Sequence, residues 1–171
     1  MTSPVEVLHL TAAQAAAIAQ EARRQEPAEA CGFLQGTING SSARVHAVCP
    51  APNRAQRRDR FLIDAADVFA ALQAARAAGE EVLGVYHSHP GGPAEPSAID
   101  RRDAWGEWLH LIVALRRGGP TEMRCWRPAG DAGPKTSTVG ETGTAVSAAG
   151  EAVSTAGGIG FFPVEIRAEG A

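Results

Sequence analysis

Aromatic residues make up only 5% of the 171-residue chain, and cysteine occurs three times. No apolar run approaches the roughly 20 residues that a membrane-crossing helix needs. The first residues, MTSPVEVLHL, lack a basic stretch followed by an apolar one, so neither an export leader nor a membrane anchor is expected, and the expected location is the cytoplasm. Cys31, Cys49 and Cys125 are odd in number and widely spaced, which fits neither a disulfide framework nor a CxxC zinc knuckle. Free and mostly buried thiols are the expectation. Positive charge is not in excess either: 16 basic against 19 acidic side chains leave a formal charge of -3, which provides no field to hold a polyanion. Nucleic acid is therefore not an expected partner. From Gly133 to Gly158 the chain lacks large apolar residues and is mostly Gly, Ala, Ser and Thr, too little to offset the entropy of ordering, so a flexible linker is expected there.

What remains suffices for one core, because a chain of this length is short for two ordinary domains. Val5 to Leu10 reads as a strand. Thr11 is then a plausible N-cap for a helix that runs to the Pro27 stop. Cys31 to Gln35 and Ala43 to Val48 flank Asn39-Gly40, the signal of a tight hairpin turn. The Pro- and Arg-rich stretch from Pro50 to Arg60 reads as exposed loop leading into Phe61-Leu62-Ile63, and Asp64 caps a second helix that ends at Gly79. The run EEVLGVYHSH that follows is a buried strand. After a Gly/Pro loop, Ser97 caps a short helix reaching about Trp105. Leu109 to Arg116 and Glu122 to Arg127 are two further strands, and Ile159 to Ile166 is a terminal strand that Pro163 favours at an edge. The expected fold is α/β, a mixed curved sheet flanked by helices. The expected division is a catalytic domain over 1–132, the low-complexity segment 133–158, and a last strand and tail over 159–171.

The chemistry concentrates at His87-Ser88-His89-Pro90 and, one loop later, Ser97-Ala98-Ile99-Asp100. Alternation along a strand puts His87 and His89 on one face, so both imidazoles can address one ion. The Gly/Pro loop returns the chain so that Asp100 can add a carboxylate. Three protein ligands with an open fourth position are the pattern of a catalytic rather than a structural zinc. Two neutral imidazoles and one carboxylate leave the ion a net charge of about +1, enough to acidify a bound water and polarise a carbonyl. A base off the metal is then needed, and Glu29, just before the Cys31 strand, is the best-placed candidate. Ser97 is a candidate hydrogen-bond donor to the oxyanion.

Glu29-Ala30-Cys31-Gly32 together with His87-Ser88-His89-Pro90, Ser97 and Asp100 resembles the signature of the JAMM (JAB1/MPN/Mov34) zinc metalloprotease family, compact bacterial type. The spacing His-x-His, seven residues, Ser, two residues, Asp is matched in full. The resemblance implies an MPN-like architecture related to that of cytidine deaminases, with one zinc per chain on His87, His89 and Asp100. It further implies Glu29 as general acid/base and Ser97 as the residue that hydrogen-bonds the transition state. It implies cleavage of a peptide or isopeptide bond after the terminal Gly-Gly of a ubiquitin-like or sulfur-carrier protein, and a homodimer is compatible with it. An extended tail of that kind can add to a sheet edge, and Phe61 to Ile63 is the candidate groove wall.

Other readings compete. Ser97-x-x-Asp100 by itself would be a helix capping box, and a non-catalytic MPN-type interaction module is the alternative for the whole chain. Glu95 is a rival base by proximity. His9, His46 and His110 are assigned surface or packing roles, and Trp105 and Trp108 are expected to fill the core.

Overall fold

The computed structural model describes residues 3–129 and 159–169, so the segment 133–158 lies outside the described residues. In chain order the elements are β1 Val7–Thr11, α1 Ala12–Gln25, β2 Cys31–Asn39, β3 Ser42–Ala51, α2 Ala65–Ala77, β4 Glu81–Pro90, α3 Ala98–Asp103, β5 Leu109–Leu115, β6 Glu122–Pro128 and β7 Phe161–Glu169. Thr11 caps α1 through a reciprocal box with Gln14, and Asp64 caps α2 by accepting from the Ala66 N–H. Gly40 sits at φ 62 in the turn joining β2 to β3, a conformation its missing Cβ permits.

The mixed α/β character is as expected, and the curvature of the sheet is carried through to closure. Its strands close into a barrel in the order β1-β3-β2-β4-β5-β6-β7. Closure depends on β7, which pairs antiparallel with β6 over Phe161–Val164 and parallel with β1 over Glu165–Glu169. Pro163 lies in the first half, where only β6 is alongside. The strand is therefore edge-like at its proline, although β7 as a whole is not an edge.

Each face of the sheet has its own cover. Leu34, Tyr86, Leu109, Leu111 and Val113 point inward and pack on Ile18 and Ala22 of α1. Cys31, Phe33 and Val85 point outward and pack on Ala71 and Ala75 of α2. Coverage on both sides explains why β4 and β5 read as unbroken apolar runs. Since β4 alternates, Val85, His87 and His89 share the outer face.

The register that fixes this arrangement starts at Gly84, paired with Leu109 in the parallel β4–β5 contact. A Cβ on Gly84 would stand 2.1 Å from the Leu109 carbonyl oxygen and 2.6 Å from its nitrogen, both backbone atoms that cannot rotate away. Gly84→Ala should therefore cost about 3 kcal/mol of stability. A urea midpoint equal to that of the wild type would show that the two strands can part without loss.

Candidate active site

β4 ends by presenting His87 and His89 on the outer face, and α3 begins by presenting Asp100 beside them. His87 Nε2 lies 3.1 Å from His89 Nε2, and Asp100 reaches His87 Nε2 at 3.2 Å with Oδ1 and His89 Nε2 at 3.4 Å with Oδ2. One donor atom from each of the three buried residues falls within 4.8 Å of the others. Tetrahedral zinc with bonds near 2.0 Å holds its donors roughly 3.3 Å apart, so the donor set has the dimensions such an ion needs. The tautomer suits it too. His89 Nδ1 lies 2.8 Å from the Pro93 carbonyl, to which it must donate, leaving the Nε2 lone pair turned inward.

Burial pushes the Asp100 carboxyl up. The pull of His87 and hydrogen bonds from His87, His89 and Ser97 outweigh that and hold it well below the usual carboxylate range. Capping and a ligand's position, rival readings of this residue in the sequence, are compatible here. Asp100 Oδ2 accepts the Ser97 N–H at 2.7 Å and Ser97 Oγ accepts the Asp100 N–H at 3.1 Å, while the same carboxylate faces both histidines. A carboxylate has enough lone pairs for both tasks.

Glu29 joins them through β2. Cys31 pairs with His87, and continuing that antiparallel register sets Glu29 opposite His89. The Ser88 N–H reaches the Ala30 carbonyl at 3.0 Å and the Ala30 N–H reaches Ser88 Oγ at 2.8 Å. Ser88, unassigned in the sequence reading, thus points to the opposite face and pins the Glu29 segment from there. Glu29 is only 6% exposed. Its Oε2 is buried without a hydrogen-bond partner among the described residues. Burial is the main cause that drives its carboxyl from 4.5 to about 8, with Asp100 and Asp59 adding and His89 opposing.

An acid raised in the folded state keeps its proton over a range in which the unfolded chain has already lost it. The metal-free protein should therefore lose stability as pH rises from about 4.5 to about 8, and Glu29→Gln should flatten that slope. Melting temperatures of both chains across this range test the sign; parallel curves would mean that Glu29 is ionised in the fold.

Beside the cluster lies a cavity of about 300 Å³ whose walls include Phe61, Ile63, Ile99, Trp105 and Trp108. Phe61 stacks on His87 with ring centroids 4.6 Å apart and planes at 27°. Trp105 is 49% exposed, so it lines this cavity and does not fill the core as expected. Its place follows from α3 ending at Asp103, two residues before it. His110 is fully enclosed at the cavity floor, edge-on to His87 and Phe161, and burial pulls its imidazole down to about 3. Glu95 pairs with Arg124 on the surface, and His9 and His46 face Glu169 and Glu80, so none of these three joins the site. Cys31, Cys49 and Cys125 are free thiols.

Fold and site together define a small mixed α/β domain with a candidate metal centre and a neighbouring buried acid on its outer face. The chain belongs to the prokaryotic homologs of the JAB domain, whose family model matches residues 11–129. The family expected from the sequence is thereby borne out. A desampylase of Haloferax volcanii is 37% identical over 90 residues, 52% of this chain and 63% of that protein, so the match spans less than two thirds of the relative's length. A CysO-cysteine peptidase of Mycobacterium tuberculosis is 30% identical over 124 residues, 72% of this chain and 84% of that one. The solution structure of a Desulfitobacterium hafniense protein superimposes with a TM-score of 0.73 at 27% identity, covering 95% of this chain and 92% of the other. Among the described residues no helix is long and apolar enough to cross a membrane.

Proposed function

We propose that the protein is a zinc peptidase that hydrolyses the peptide or isopeptide bond after the terminal Gly-Gly of a ubiquitin-like or sulfur-carrier protein. The observation that carries this reading is the buried Glu29 carboxyl set beside three donors, His87, His89 and Asp100, with the spacing of a tetrahedral site. The curated relatives named for desampylation and for CysO-cysteine hydrolysis support the substrate class.

His87, His89 and Asp100 hold the ion, one per chain. When bound, zinc supplies a Lewis acid for the scissile carbonyl and an acidified water. Glu29 takes a proton from the attacking water at its carboxyl oxygen and returns it to the leaving amine. Ser97, fixed at the start of α3 by its exchange with Asp100, donates a hydrogen bond to the carbonyl oxygen as charge builds there.

The strand that carries His87 and His89 is paired with β2 on one side and β5 on the other, so the tail has no free edge there to extend. The tail instead lies along the Phe61–Ile63 segment, against the cavity wall. Glycines at its end allow the backbone to approach the centre without a Cβ in the way. Residues 1–132 then form the catalytic domain, with the strand in 159–171 completing its barrel. The free thiols support a reducing compartment, the cytoplasm.

The test is mass-spectrometric metal content together with cleavage of a ubiquitin-like protein extended past its Gly-Gly, beside the same fusion carrying Ala-Ala. The expected result is one zinc per chain and a cut after the second glycine, with the Ala-Ala fusion intact. A chain that takes up no zinc and cuts neither fusion would leave the interaction module standing.

A further inference from the structure

We propose that Asn53 is the positioning residue of this centre, its side-chain amide fastening the backbone that carries Glu29 to the loop that carries Phe61. The inference rests on the peptidase reading above. Asn53 belongs to the Pro- and Arg-rich stretch that reads as plain exposed loop in the sequence, yet its amide is fully engaged. Nδ2 donates to the Glu29 carbonyl at 2.9 Å and to the Arg60 carbonyl at 3.1 Å. Oδ1 accepts from the Ala55 N–H at 2.9 Å and from the Leu62 N–H at 3.0 Å. An asparagine side chain offers two donor hydrogens and two accepting lone pairs, and here all four are used.

An ordinary Asx turn accounts for the bond from Ala55 alone, two residues ahead. The other three reach residues 24, 7 and 9 positions away and join two separate parts of the site. On one side the amide holds the carbonyl of the residue whose carboxyl faces His89 and Asp100. On the other it grips Arg60 and Leu62, the residues immediately before and after Phe61, and so fixes the ring that stacks on His87. A further bond from the Arg54 N–H to the Leu62 carbonyl, 2.8 Å, ties the same segment down. Base and substrate wall are thus set by one side chain that is itself neither a donor of the cluster nor a lining residue of the cavity.

Only asparagine chemistry fits the position. Aspartate keeps the shape and the two accepted bonds but turns an oxygen towards the Glu29 and Arg60 carbonyls, and glutamine is longer by one methylene. Asn53→Asp therefore breaks the donating half alone, and Asn53→Ala removes all four bonds.

Three measurements on wild type, Asn53→Asp and Asn53→Ala decide the matter: zinc per chain, kcat and KM on the Gly-Gly fusion, and amide exchange of the metal-free protein. Zinc should stay near one per chain, since no donor is touched. Both variants should lose roughly 100-fold in kcat, as expected when a reacting group is misplaced by about an ångström, and KM should move much less. Exchange should quicken over residues 60–63 and leave β5 unchanged. Wild-type kcat in zinc-loaded Asn53→Asp would overturn the proposal, and so would faster exchange spread evenly through β4 and β5, the mark of general destabilisation. Should Asn53→Ala fail to fold, Asn53→Asp carries the same comparison. If the wild type itself cuts nothing, the peptidase reading fails, and the exchange pattern of the metal-free variants still decides whether the amide joins the two segments.

Discussion

Glu29→Gln is expected to lower kcat by about 10²- to 10⁴-fold, the usual worth of a general acid/base, while zinc content stays as in the wild type and the same fold forms. The exchange is nearly isosteric, and the contacts that place residue 29 run through its neighbours and its own carbonyl, not through the carboxyl. The Asn53 amide holds that carbonyl, and the Ala30 N–H stays on Ser88 Oγ. What disappears is the ionisable carboxyl that the start of β2 sets opposite His89. Glu95→Gln is the matched control, because Glu95 is surface-exposed and engaged with Arg124. The measurement is steady-state cleavage of the Gly-Gly fusion by three zinc-loaded proteins. Equal loss in both variants, or loss only in Glu95→Gln, would remove Glu29 from the mechanism.

The candidate site was more legible in the sequence than the barrel that carries it. Strand alternation already puts His87 and His89 on one face, and Thr11, Asp64 and Ser97 announce the three helix starts through the same side-chain oxygens that cap them in the fold. Barrel closure has no such local mark. It depends on Val7 to Thr11 lying parallel to Glu165 to Glu169, a pairing between the two ends of the chain. His110 shows the same limit at finer scale. Within LHLIVAL it alternates like any strand residue, and only the parallel register of β5 against β4, with Val85 opposite His110, brings its ring to His87. Asn53 hides for a related reason. Its neighbours are turn formers and arginines, and three of its four partners come from segments that only the tertiary fold brings together.

Asp100 is where an observed helix cap and the proposed metal ligation meet, and the two can be separated. Asparagine at position 100 retains an oxygen for the Ser97 N–H, so the start of α3 should survive in Asp100→Asn, but the negative charge that faces His87 and His89 is gone. Zinc affinity should fall by at least roughly 100-fold, the upper end of what is lost when a group merely supporting a ligand is changed. His89→Ala should match it, since that change removes a donor outright. Stability then divides the proteins in a way that neither variant shows alone. Added zinc should raise the melting temperature of the wild type, because an ion bound only by the native state stabilises it in proportion to the logarithm of its excess over Kd. Both variants should be nearly indifferent to it over the same concentrations. Titration against a chromophoric chelator, with melting curves on the same samples, reads both quantities. If Asp100→Asn kept wild-type affinity and the full thermal shift while His89→Ala lost them, Asp100 would be a helix cap only, and the ion would have to be held by the two histidines and a donor from elsewhere in the chain.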